Sequence, residues 1–401
     1  MSDPDDDASV RYLRSARAVR ERCGAVYAVA SRGGLEHWAV EGDRLEEVAR
    51  RVVQVTRAAY PDLAIPGHSR WRHFSAGGVD RTRALDERLA PLDEDERLAA
   101  RFDLAITSVL LDAGAGDRWR YRDAAGASYG RSEGIAVASY DLFVAGAFSN
   151  DPTGSPLRAD ADALERVSAA SLAEGLQVSD RNPMVGLEGR AALLQRLGRA
   201  VRETPAWQGR LGGFGVRLKR EAARGELPAS EVLRAVLEGF STIWPGREVC
   251  AGQNLGDVWT HSALGRVPFH KLSQWLTYSL LEPLEWAGLR IVDQGDLTGL
   301  AEYRNGGLFV DGGVLVPRHG GVLADEHDVS SDVVIEWRAL TVALLDRVAE
   351  RVRALLGLDA TELSLAKVLE GGTWRAGREL AAEKRPGGGP PLRVRSDGTV
   401  F

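Results

Sequence analysis

The chain has 401 residues, 44% of them hydrophobic, with two cysteines and a formal net charge of −6. A chain this long and apolar can bury a core without a disulfide or metal staple. Cys23 and Cys250 are remote from each other and form no CxxC, so two reduced, buried thiols are expected. The acidic balance opposes the basic footprint that polymeric nucleic acid requires, so no polymeric nucleic acid is expected as a partner. A small anionic metabolite stays compatible, because one Lys or Arg in a closed pocket holds a phosphate whatever the global charge. The start, MSDPDDDAS, is acidic where a signal peptide is basic and apolar, and no apolar run reaches the roughly 18 residues of a spanning helix. A cytoplasmic protein with no membrane partner is the expectation.

In chain order, residues 1–9 read as a disordered tail, ahead of one large helical domain over 10–401. In 43–59, Leu45, Val48, Val52 and Val55 recur at helical spacing behind Asp43 as capping residue. The same period runs through 97–112 (Phe102, Ile106, Val109, Leu110) and 186–201 (Leu187, Ala191, Leu194, Val201), and a helix over 132–147 opens at the capping Ser132. The Gly-rich stretch 203–230 has little period and reads as either a domain junction or a long surface connection. From about 269, Phe269, Leu272, Trp275, Leu276 and Leu280 form the buried face of a helix, and a short helix closes at Gly306 and Gly307 with Glu302 and Arg304 in its last turn. The longest pattern covers 332–356 behind Asp332, and another helix spans 361–382. Strand signals are short: alternation about Gly-rich turns predicts hairpins over 119–129, 308–316 and 392–401. The fold class is mainly α, with a few short β-hairpins on a helical body.

Chemistry-bearing residues gather in a few segments. Lys271 and Gln274 share a face at i, i+3 in PFHKLSQWLTYSLLEPLEWAG (268–288), although a lone lysine on a helix is most often solvated. Glu302, Tyr303 and Arg304 lie in DLTGLAEYRNGGL (296–308), where spacing alone makes Glu302 solvated or paired to Arg304. Glu336 and Arg338 point to different faces of IEWRALTVALL (335–345) and read as a buried bracing pair, with Arg338 on substrate as the lesser reading. GHSRWRHF (67–74) interleaves His68, Arg70, Arg72 and His73 with Trp71 and Phe74, so Arg72 is either an anion clamp or an outward charge. Asp112 and Trp119 flank Gly114 and Gly116 as a pocket rim, Asp112 being a second carboxylate at a helix end where the dipole disfavours it. Asp257 with Trp259 is a candidate of the same kind. The seven histidines show no HxH or HExxH spacing, and there is no P-loop, no strand-to-helix GxGxxG and no GxSxG elbow, so neither metal nor cofactor is expected.

These segments also carry a resemblance. With CGAVYAV (23–29), YPDLAIPGHSRWRHFSAGGVDR (60–81), RSEGIAVASYDLF (131–143), NPMVGLEGRAALLQRLG (182–198) and the terminal SDGTVF (396–401), the chain resembles the uracil catabolism protein 4 family of fungi and bacteria nearly end to end. More distantly, and in short blocks, it resembles the queuosine salvage nucleosidases. FHKLSQWL is similar to their FxKxxQ helix, whose lysine helps to hold the substrate's 5′-phosphate, which implies that role for Lys271. Leu297-Thr298 and Glu302-Tyr303-Arg304 match their Leu-Thr and Asp-Tyr-Arg, whose aspartate is catalytic, which implies that role for Glu302. This chain departs in having Glu for Asp and Asn305-Gly306-Gly307 for residues of the Val-Pro-Gln kind. The fold implied is a helix-hairpin-helix DNA-glycosylase-like body.

The function implied is hydrolysis of an N-ribosidic bond in a small, 5′-phosphorylated metabolite of the ribosylurea type. Glu302 would stabilise an oxocarbenium-like state, and Asp112, kept neutral by burial, would protonate the leaving group. Lys271, with Arg304 or Arg72, would hold the phosphate, and Tyr303 and Trp119 would line the substrate. Two other readings stay open: a non-catalytic chain that binds a nucleotide intermediate for a ring-opening pathway enzyme, and a ureide or amide hydrolase that leaves the ribosidic bond intact.

Overall fold

Amphipathic periodicity becomes a mainly α-helical molecule with short two-stranded ribbons. The computed structural model describes residues 4–112, 114–116, 118–244 and 248–395. These residues divide into two compact units: 4–68, 248–274 and 294–395 form the first, and 69–244 with 275–293 the second. The divisions therefore fall elsewhere than at 203–230, which lies within the second unit. No helix among the described residues is long and apolar enough to cross a membrane.

The first unit is organised about helix Asp332–Leu356, whose run of Val, Leu and Ala side chains is buried for most of its length and which Gly357 ends in the left-handed conformation at φ 70°. Helices Ala16–Ala30 and Leu45–Ala59 pack against it, and each fully buried Leu or Val contributes about 1.5–3 kcal/mol. Helix Tyr303–Asp311 lies on both Asp332–Leu356 and Trp374–Lys384. Among the described residues four ribbons complete the unit: Trp38–Val40 antiparallel to Leu315–Pro317, Val249–Cys250 antiparallel to Gln253–Asn254, Val258–His261 antiparallel to Gly265–Pro268, and Glu326–Asp328 parallel to Arg393–Arg395.

The second unit centres on helix Glu94–Leu111. Asp93 caps it by accepting the Glu96 N–H at 2.8 Å, and Glu94, Asp95 and Glu96 place negative charge at its positive end. Asp103 on this helix is fully buried, accepts from Arg210 Nε at 2.7 Å and from the Gly212 N–H at 2.6 Å, and burial still pushes its carboxyl up to about 6. Helices Arg131–Val144, Leu187–Arg202 and Gly213–Glu221 pack around it.

Several expectations change. Residues 4–9, expected in a tail, belong to helix Pro4–Leu13. The 119–129 hairpin forms as Arg120–Arg122 against Ser128–Gly130, but 308–316 does not: Gly312 ends helix Tyr303–Asp311 and Gly313, at φ 71°, turns the chain into Leu315–Pro317. The third expected hairpin has its strand at Arg393–Arg395, paired instead with Glu326–Asp328, while 396–401 lie outside the described residues. Ser132 does not cap Arg131–Val144, whose capping position is Gly130. The helix expected over 361–382 begins as Leu365–Val368, widens into a π-turn at Leu369–Thr373 and continues as Trp374–Lys384. Cys23 is buried and its thiol is pushed above the usual range, whereas Cys250 is only half-buried.

Candidate functional site

Lys271, Glu302, Tyr303 and Arg304 all belong to the first unit, and two side-chain clamps fix their relative positions. The first joins the two motifs directly. Gln274, wholly buried, donates from Nε2 to Thr298 Oγ1 at 2.7 Å and accepts the Thr298 N–H on Oε1 at 2.9 Å, so the amide reads both polar groups of one residue. The loop that leads to Glu302 is thus pinned to the helix one turn beyond Lys271. The second clamp is Asp257. It accepts the Lys271 N–H at 3.0 Å and receives both terminal nitrogens of Arg338 at 2.8 and 2.6 Å, and Arg338 also stacks on Phe269 with its guanidinium carbon 4.1 Å from the ring centroid. His270, immediately before Lys271, is held at φ 47°, a left-handed conformation that costs a non-glycine residue about 1–3 kcal/mol.

Glu302 is the N-cap of helix Tyr303–Asp311, not a residue of a last turn. Its Oε2 accepts the Arg304 N–H at 2.7 Å and its Oε1 the Asn305 N–H at 2.6 Å, so both oxygens face the positive end of the helix. The side chain is 8% exposed, and burial raises its pKa above the ordinary glutamate range, an effect that the Arg304 and Asn305 N–H groups and the charges of Lys271 and Arg304 partly offset. The Lys271 ammonium, on a half-buried side chain, is therefore within electrostatic reach of the carboxylate.

Glycines 306 and 307, expected to stop the helix, lie inside it. A Cβ on Gly306 would stand 2.6 Å from Trp337 Cε2, so the glycine is there to admit an indole and not to end a turn. Arg304, 3% exposed, donates to the Gly388 carbonyl at 2.8 Å and stacks on the half-buried Tyr303 at 4.8 Å, while its Nε is buried without a hydrogen-bond partner among the described residues. Asn305 Oδ1 is in the same condition. The two orphaned polar atoms thus sit on the two residues whose N–H groups hold Glu302.

Arg72, Asp112 and Trp119 belong to the second unit. Asp112 accepts from Arg70 Nη1 at 2.8 Å on one oxygen and from Ser132 Oγ at 2.9 Å on the other. Arg70 is fully buried and also donates from Nε to Ser108 Oγ at 2.7 Å, so Asp112 lies opposite a buried cation as its counter-charge. Arg72 is ion-paired to Glu282. Trp119 is fully buried and donates from its indole to the Leu176 carbonyl at 2.9 Å, a core position and not a rim. Glu336 and Arg338 do not brace each other: Glu336 accepts the His37 and Trp38 N–H groups, each at 3.2 Å, and pairs with His261 at 3.3 Å, which raises the histidine's pKa. Among the described residues no group of three or more His, Cys, Asp or Glu side chains is placed to hold a metal ion.

Sequence reasoning missed the hold of Asn305 on Glu302 and Asp257 as the link to Arg338. Asn305 had no visible signal, because Glu is an uncommon N-cap and the two glycines after it read as a stop. Asp257 and Arg338 are 81 residues apart in sequence, and only the fold shows that they meet.

Comparison with known proteins agrees with the sequence resemblance. The chain is 40% identical over 403 residues to the protein named urg3 from Schizosaccharomyces pombe, covering 98% of this chain and 99% of that one. It is 38% identical over 440 residues to uracil catabolism protein 4 from Lachancea kluyveri, again covering 98% and 99%. A family model described as protein of unknown function (DUF1688) matches residues 12–401, and the chain accordingly belongs to the DUF1688 family.

Proposed function

We propose that the protein acts in uracil catabolism, as the name of its Lachancea kluyveri relative suggests, and hydrolyses the N-ribosidic bond of a ribosylurea-type metabolite carrying a 5′-phosphate. The observation that supports this reading is Glu302: a buried carboxylate, held by two backbone N–H groups, on which the Lys271 charge acts, with orphaned polar atoms on Arg304 and Asn305. Cleavage of such a bond builds positive charge on the sugar ring. A fixed carboxylate in a site shielded from water stabilises that charge far better than solvent does and orients the attacking water. Helix and loop hold Glu302 in place before substrate arrives, so little reorganisation accompanies the reaction.

Lys271 serves the phosphate. Its ammonium stands at the start of a helix whose first turn is anchored by Asp257, and it offers three donors to a dianion. Arg304, already committed to Gly388 and Tyr303, adds charge at the site, and its Nε is the atom left to meet a substrate oxygen.

The test is direct. The purified protein is incubated with N-ribosylurea and with its 5′-phosphate, and release of urea together with ribose or ribose 5-phosphate is followed by NMR. Urea release that disappears in Glu302→Gln supports the reading. Binding of the phosphate compound without turnover would sink it and favour a carrier of the intermediate. Ammonia release with the ribosidic bond intact would point to ureide hydrolysis.

A further inference from the structure

We infer that Asn305 is the residue that recognises the leaving group, and that the group it takes is an amide or urea nitrogen presenting an N–H. The inference rests on the hydrolase reading above and adds to it the chemical class of the expelled base. Asn305 is 1% exposed and stands in the first turn of helix Tyr303–Asp311, where its own N–H holds Glu302 Oε1 at 2.6 Å. The carboxamide thus leaves the backbone from the same turn that fixes the carboxylate.

Its orientation follows from chemistry. Nδ2 faces the Leu300 carbonyl at 3.4 Å, and the flipped amide would set two acceptor oxygens against each other, so nitrogen belongs on that side and Oδ1 on the other. Oδ1 is buried with no donor among the described residues. A buried acceptor left unpaired is unfavourable, and a ligand that brings an N–H to it is selected over one that cannot. The contact also has the right sense for catalysis. As the C–N bond to the sugar breaks, water supplies hydroxyl to the anomeric carbon and a proton to the leaving urea, whose N–H groups become better donors as that proton arrives, so the bond to a neutral acceptor strengthens toward the transition state. An anionic leaving group would gain nothing from Oδ1.

Asn305→Leu, nearly isosteric and unable to accept, and Asn305→Ala as a second variant are assayed on two substrates sharing one sugar phosphate. These are N-ribosylurea 5′-phosphate and p-nitrophenyl ribofuranoside 5-phosphate, whose leaving oxygen carries no N–H. Loss of the bond should lower kcat/KM on the ureido substrate by about 30-fold or more and on the aryl substrate by less than about threefold. The inhibition constant of ribose 5-phosphate, which has no leaving group, should stay within about twofold in both variants. Parallel losses on both substrates, a matching loss of ribose 5-phosphate affinity, or no loss at all would overturn the assignment while leaving the hydrolase reading in place. A parent protein inactive on both substrates would overturn the hydrolase reading and this assignment with it.

Discussion

Arg338 closes a two-bond fork on Asp257, at 2.8 and 2.6 Å, and the same Asp257 carboxylate accepts the N–H of Lys271. One buried ion pair therefore sets where the helix bearing Lys271 begins. Arg338 is 1% exposed, and removing it would strand Asp257 in a largely buried place. Arg338→Ala should lower stability by about 3–5 kcal/mol in denaturant titrations. Arg338→Lys, which keeps the charge and loses the fork, should recover only part of it. Equal stability of parent and Arg338→Ala would show that the pair contributes nothing.

Glu302→Gln should cost about 1 kcal/mol of stability, because the amide keeps one acceptor but sets its NH2 group against a helix N–H. Urea release should fall by about 10²–10³-fold, in kcat and not in KM. Glu302→Asp restores the residue type of the salvage nucleosidases and should retain partial turnover. A Glu302→Gln protein that releases urea at the parental rate would remove this carboxylate from the mechanism.

The pH dependence follows from the burial of Glu302. With its pKa above the usual glutamate range, kcat/KM should rise with pH along a limb displaced upward from that of an exposed glutamate. Lys271 lowers that pKa, so Lys271→Gln should move the limb higher still. Stability runs the other way. The proton is bound more tightly in the folded state, so the stability Glu302 contributes is full below its unfolded pKa and is lost as pH rises through the folded value. Glu302→Gln should flatten that decline in a melting temperature series, and an unchanged slope would contradict the proposed shift.

Lys271→Ala should weaken the phosphorylated substrate far more than the unphosphorylated one, since a charge-assisted contact to phosphate is worth about 1.5–3 kcal/mol. Steady-state kinetics on the two compounds decides it. If both lose equally, Lys271 acts on Glu302 and not on phosphate.

Much of the fold was legible where one period ran uninterrupted. The stripe from Leu45 to Val55 lies in helix Leu45–Ala59, and that of 332–356 matches Asp332–Leu356 residue for residue. Legibility failed where a short polar signal had two physical meanings. Gly306 and Gly307 read as a helix stop because glycine favours the left-handed cap, whereas Gly306 answers a contact with Trp337 that no local pattern reveals. The same error reversed the helix and put Glu302 at the wrong end. Lys271 and Glu302 could be singled out by resemblance to the nucleosidase motifs, but the bonds between Gln274 and Thr298 that join the two segments are long-range. The pairing of Asp112 with Arg70, 42 residues earlier in the chain, was equally out of view in the sequence.

The seat of Trp337 against Gly306 binds two distant positions into a volume-exchange pair. Helix propensity alone would reward alanine at 306 by about 1 kcal/mol, yet the methyl has no space unless the indole yields. Relatives that carry a larger residue at 306 should therefore carry a smaller one at 337, and the two sites are expected to drift only in step. A paired exchange of this kind would let the helix beneath Glu302 be re-engineered without touching the carboxylate it carries.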